Sequence, residues 1–165
     1  MSIIEIPHRE PGSPLDVVER MAATNNWPFE RGGEDEITLG VTGRWANYQI
    51  SFTWMRDIEA LHLACAFDMK VPEMRLNEVQ ALIALINEQL WIGHFDVWLR
   101  DGVVMFRHAL VLAGMPASDR QCEAVFGSAL DTCECYYPAF QFVIWAGKCA
   151  REAMAAAMFE TSGEA

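Results

Sequence analysis

Basic residues are scarce in this 165-residue chain: 12 Lys and Arg stand against 23 Asp and Glu, for a net charge of −11. Binding along a phosphate backbone needs clustered Lys and Arg, so the balance argues against a nucleic-acid partner. It favours solubility and steering toward basic partners. Long apolar runs are missing too. The longest charge-free stretch lies between Glu134 and Lys148, too short to cross a bilayer, so no membrane role is expected. Residues 1–10 carry charges and lack the apolar h-region of a secretory signal. The five Cys form no regular framework, which points to reduced thiols and a cytoplasmic location.

Catalytic signatures are also absent. The chain has no G-x-S-x-G elbow, no P-loop and no G-x-G-x-x-G turn. Cys133-x-Cys135 is not the redox spacing, and residues i and i+2 of a helix point to different sides. Cys122, Cys133 and Cys149 read as small core residues. The acids at Glu34-Asp35-Glu36 and at Glu73 and Glu78 fall on a turn and on a helix exterior, where solvation is expected rather than acid–base chemistry. Neither an enzymatic activity nor a cofactor nor a metal is expected.

What the chain has is apolar content. Hydrophobic residues make up 52% of it, with six Trp and nine Phe. That suffices for one core, and a single domain is expected over residues 14–160, with an N-terminal arm at 1–13 and a C-terminal tail at 161–165. Ser13-Pro14-Leu15-Asp16 starts a helix, Ser13 as cap and Pro14 in the first turn, running to about Asn26. Extended runs follow. Tyr48, Ile50, Phe52 and Trp54 alternate onto one face, as do Leu61, Leu63, Cys65 and Phe67. The other face of that last run carries Ala60, His62, Ala64 and Ala66, which suggests close cover or a shallow binding surface.

A second helix is expected from Pro72 to Trp91, stopped by Gly93. Asp101-Gly102 between two strand-like runs, His94–Leu99 and Val103–Leu112, signals a hairpin. Ser118 caps a last helix that reaches about Phe159, kinked or broken by Pro138. In its second half a thin polar stripe of Gln141, Lys148 and Glu152 interrupts a broad apolar surface, more than a surface helix normally hides. The order α-βββ-α-ββ-α predicts an α+β fold, an antiparallel sheet made of a meander plus a hairpin with three helices.

Two site readings follow. Trp45, Trp54, Trp91, Trp98 and Trp145 exceed what one small core needs. Most are expected in that core, with one or two anchoring a partner at strand or helix edges. The small residues Ala146, Gly147, Ala150 and Ala153 admit close approach of another chain. Trp45, Trp54, Ala146, Gly147 and Ala150 are therefore the candidate partner-binding residues, for a homodimer contact or a protein or peptide partner. The rival reading is a small-molecule-binding protein or enzyme with a pocket of His62, His94, Asp96, Arg107 and His108. Arg107 and His108 alternate to opposite sheet faces, so the five do not all meet on a regular sheet.

The segments Leu15-Asp-Val-Val-Glu-Arg20, Trp45-Ala-Asn-Tyr48, Leu61-His-Leu-Ala-Cys-Ala-Phe-Asp68 and Leu85-Ile-Asn-Glu-Gln-Leu-Trp-Ile-Gly-His-Phe-Asp96 are similar to those of the YbjN family. So are Asp101-Gly-Val-Val-Met-Phe-Arg-His108 and Tyr136-Tyr-Pro-Ala-Phe-Gln-Phe-Val-Ile-Trp-Ala-Gly147. Members of this bacterial family are described as sensory-transduction regulators. The resemblance implies the α+β fold of type III secretion chaperones, which are small acidic dimers that bind extended protein segments. It supplies no catalytic residues. The expected function is a non-enzymatic regulatory or chaperone-like protein-binding module.

Overall fold

Six strands lie side by side in one antiparallel sheet in the order β1-β2-β3-β4-β6-β5. The computed structural model of the protein describes residues 12–162; the arm before Gly12, with His8, and the tail beyond Ser162 lie outside the described residues. Helix α1 (Pro14–Thr24) leads into β1 (Phe29–Arg31), β2 (Glu36–Thr42), β3 (Asn47–Met55) and β4 (Ala60–Lys70). Helix α2 (Leu76–Asn87) precedes the hairpin β5 (His94–Trp98) and β6 (Val103–Val111), and α3 (Asp119–Ile144) and α4 (Ala150–Ser162) close the described chain. The class is the expected α+β, with a fourth strand in the meander and a fourth helix.

The caps are where the sequence puts them. Ser13 Oγ accepts from the Leu15 amide at 3.3 Å. Ser118 Oγ accepts from the Gln121 amide at 3.1 Å, while Gln121 Oε1 accepts from the Ser118 amide at 2.9 Å. This reciprocal pair satisfies two donors that a helix start leaves open.

Helices α1, α2 and α3 cover one face of the sheet, and α4 packs on α2 and α3. That face presents Ile37, Leu39, Tyr48, Ile50, Phe52, Leu61, Leu63, Cys65, Phe67, Phe95, Val104 and Phe106, each buried. Phe67 is the hub of its aromatic part, with ring centroids 5.0 Å from Tyr137, 5.6 Å from Phe140 and 5.8 Å from Phe95. None of the six Trp is among the buried core residues, contrary to expectation. Phe, Tyr and aliphatic side chains fill the space between the layers, and the larger indoles sit at its margins.

Two helix expectations are corrected. Helix α2 begins after a short 3-10 turn at Glu73–Arg75 and ends at Asn87. Its last residue turns its amide onto β5: Asn87 Oδ1 accepts from the Phe95 N–H at 2.8 Å, and Nδ2 donates to the Phe95 C=O at 3.0 Å. Trp91, expected to end the helix, lies in the following loop and is 100% exposed.

The last helix is two helices. α3 runs through Pro138 unbroken. A proline inside a helix costs about 3 kcal/mol, but Tyr136, Tyr137, Pro138, Ala139 and Phe140 are all buried, and that packing outweighs it. The break comes at residues 145–149, where Gly147 takes φ +68°. Gln141, Lys148 and Glu152 therefore share no common stripe.

Helix α2 holds this corner from both sides. Arg75 Nε donates to the Val143 C=O at 2.9 Å and Nη2 to the Lys148 C=O at 2.5 Å. Glu78 Oε2 accepts from the Ala150 N–H at 2.8 Å. A cation thus caps the C-terminal end of α3 and an anion the start of α4, each the sign its helix dipole favours.

Candidate functional site

The sheet face turned away from the helices is covered by no described element. Its side chains follow from the register. Thr53, His62 and Ala109 form one cross-strand row; Thr38, Ser51, Ala64, Arg107 and His94 form the next; Gly40, Gln49, Ala66, Met105 and Asp96 form a third. The floor is small: Ala66 and Ala109 are exposed and Ala64 half-buried, while Met105 is buried. Larger apolar groups stand toward the rim, with Val111 68% and Trp98 50% exposed. The face that sequence alternation marked as shallow, with Ala60, His62, Ala64 and Ala66, is this one.

Four of the five residues of the rival pocket come together here. His94 faces Arg107 across the β5–β6 pair, and Asp96 sits two residues along the same face. Arg107 Nε donates to His62 Nε2 at 3.4 Å, and its Nη1 lies 3.7 Å from Asp96 Oδ2. His108 faces Leu63 on the helix side, as alternation requires, and does not join. The four line an open sheet surface rather than an enclosed pocket. Among the described residues no group of three or more His, Cys, Asp or Glu is placed to hold a metal ion.

With Arg107 Nε donating over a long 3.4 Å, His62 Nε2 is the acceptor, an arrangement that favours the neutral ring with its proton on Nδ1. Burial first, then the Arg107 charge, then His94 and His108, hold His62 below the ordinary imidazole value of 6.5. Burial and His94 lower His108 as well. Above 6.5 both rings are neutral folded and unfolded and add no pH dependence. As pH falls through 6.5 the unfolded chain takes up protons first, so stability drops until the folded rings also titrate. An NMR titration is expected to place the His62 midpoint below 6.5, and Arg107→Gln to raise it only part of the way back, because burial remains. A midpoint at or above 6.5 in the intact chain would contradict this geometry.

The β5 edge of the sheet is closed to strand addition, and the opposite edge is short. On β5 the outward Phe95 N–H and C=O are taken by Asn87, and Asp96 Oδ1 accepts from the Val97 N–H at 2.8 Å. The opposite edge, β1, has three residues. Side chains that occupy edge groups, and short edges, are how sheets avoid pairing with other strands.

The five candidate partner-binding residues do not share a surface. Trp45 sits in the β2–β3 turn beneath the Arg44 guanidinium, 4.7 Å from its ring centroid. Trp54 lies at the far end of β3, roughly 30 Å along the strand. There it lines a cleft of about 570 Å³ with Ser13, Pro14, Leu112 and Met115. Ala146 and Gly147 are exposed at the α3–α4 corner, beside Trp145 at 62% exposure. Ala150 is buried, its N–H bonded to Glu78 of α2, and Ala153 is buried too. The face expected to await a partner is thus partly covered by the chain's own α2. Sequence reasoning did not place Asn87 and Arg75 in any site, since their partners are remote backbone groups that no local pattern announces.

Three of the five thiols are held protonated by burial. Burial pushes Cys122 up to about 11. It also raises Cys135, and burial, then the Cys65 neighbour, raises Cys133 well above the usual range. A thiol held protonated at neutral pH is a poor nucleophile. Tyr48 is likewise held protonated, by burial and then by the Glu134 carboxylate.

No curated protein matches the chain. Among solved structures, the crystal structure of YbjN, described as "a putative transcription regulator from E. coli", is similar with a TM-score of 0.54 at 9% identity, over 73% of this chain and 85% of that one. At that identity the likeness shows the fold alone. The YbjN family, described as "Putative bacterial sensory transduction regulator", matches residues 14–142. With that match over most of its length and the same α+β architecture, the chain belongs to the YbjN family.

Proposed function

We propose that this chain is a non-enzymatic, cytoplasmic regulatory module that holds a segment of a protein partner against the uncovered face of its sheet. The observation that carries the reading is that face: a floor of Ala64, Ala66 and Ala109, low enough for a second backbone to approach, rimmed by the exposed Trp98 and Val111. Trp is among the residues enriched in interface hot spots. With the β5 edge occupied by side chains and β1 only three residues long, the partner is proposed to lie across the face rather than extend the sheet. The family description as a regulator supports the same reading. No helix is long and apolar enough to cross a membrane among the described residues.

The module is further proposed to act as a homodimer. Trp91 and Ile92 before β5 and Leu99 after it are 100%, 51% and 63% exposed, apolar groups that a lone chain gains by covering. Trp45, Trp54 and the corner at Ala146 and Gly147 are secondary contact candidates.

Ala66→Arg places a long charged side chain on the exposed floor without touching the core. It should reduce retention of the partner captured from the native cell at least tenfold, with the thermal midpoint unchanged, whereas Glu123→Lys on the helix side should retain it. Equal retention by Ala66→Arg would remove the reading. Light scattering at the 18.6 kDa of one chain would remove the dimer alone.

A further inference from the structure

We infer that Arg107 forms a carboxylate seat on the uncovered face, with Ala64 as its floor and His62 and His94 as its walls. The inference rests on the functional reading only for the source of the carboxylate, an acidic side chain or chain terminus of the bound segment. Three adjacent strands build the seat. Arg107 of β6 lies directly opposite Ala64 of β4 on one side and His94 of β5 on the other, neighbours about 5 Å apart. Ser51 of β3 stands opposite Ala64, so the methyl of Ala64 leaves low ground between a guanidinium and a hydroxyl. His62 flanks this ground diagonally.

The guanidinium is undercommitted. It has five N–H donors in a planar fork. Among the described residues it makes one long bond, to His62 Nε2 at 3.4 Å, and its ion pair with Asp96 at 3.7 Å is beyond hydrogen-bond distance. Its side chain is 37% exposed. A partly desolvated guanidinium fork with unused donors takes a carboxylate in bidentate fashion.

Arg107 and Asp96 largely offset each other in charge, so the selection rests on geometry: parallel N–H groups of the planar fork match the two oxygens of a carboxylate. The −11 net charge of the chain acts on an approaching carboxylate from longer range, where salt screens it at about 8 Å under physiological conditions.

The experiment follows the amide signals of Ala64, Arg107 and Ala109 in the 15N-labelled full-length chain. The probes are N-acetyl-Ala-Glu-Ala-amide, N-acetyl-Ala-Ala-Ala with a free C-terminus, the neutral N-acetyl-Ala-Gln-Ala-amide, and inorganic phosphate. Saturable millimolar shifts are expected with the first two, which separate a side-chain from a terminal carboxylate, and not with the neutral peptide. Arg107→Gln should weaken binding at least tenfold, and Ala64→Leu, which fills the seat but keeps Arg107, should do the same. No saturation by either carboxylate, undiminished binding in both variants, or tighter binding of phosphate would each overturn the inference. If the seat fails while Ala66→Arg still abolishes partner retention, the functional reading stands without it.

Discussion

Phe67→Ala is expected to destabilise the fold by about 3–5 kcal/mol, the range for removing a large aromatic from a packed core. Phe67 is 3% exposed, on the strand at the middle of the sheet. Its ring meets Tyr48, Phe95, Tyr137 and Phe140, so one side chain joins β3, β5 and α3. Four rings in edge or tilted contact cannot collapse into the space without losing the geometry each has with the others. Urea denaturation followed by tryptophan fluorescence would measure the loss. Trp27, Trp45 and Trp54 pack against the core without joining the rings around Phe67, so they report unfolding without the substitution altering their immediate packing. A loss below about 1.5 kcal/mol, the scale of a volume-conserving swap, would mean that Phe67 is not the hub.

Arg75→Ala should act locally. The guanidinium makes two charge-assisted bonds, to the Val143 and Lys148 carbonyls, each worth about 1.5–3 kcal/mol. Val143 O belongs to the last turn of α3, where no intrahelical donor remains. Without Arg75 the corner loses its C-terminal cap, and Glu78 alone holds the start of α4. Amide exchange at Ala153 and Ala157 should accelerate roughly hundredfold, since each 1.4 kcal/mol is a factor of ten, while the β3 and β4 amides keep their protection. Equal acceleration in the sheet would show that α4 is not a separately opening unit.

Much of this architecture is written in local pattern. The Ser13-Pro14 and Ser118 caps, the alternation of Tyr48 to Trp54 and the Asp101-Gly102 turn depend on side chains a few residues apart, and each appears where the pattern puts it. The small face of β4 was legible too, as Ala60, His62, Ala64 and Ala66. That it stays uncovered by the described elements was not, because cover is decided by where helices land. The strand pairing of the rival cluster was hidden for a similar reason. Alternation separates Arg107 from His108, but only the β5–β6 register decides which of them faces His94.

The sequence by itself determined the class, most of the element order, the family and the two-sided character of the central strand, because those follow from residue type and short-range spacing. The tertiary structure decided the rest. It carried α3 through Pro138 because burial outweighs one lost helix bond, and it broke the chain at Gly147 instead, where Arg75 and Glu78 supply caps from another helix. It moved the apolar surplus of the C-terminal segment onto α2 and left the alanine floor around Arg107 as the surface still to be covered. The reason is common to all of these: which competing local preference wins depends on energy from residues distant in sequence, and that energy exists only once the layers have met.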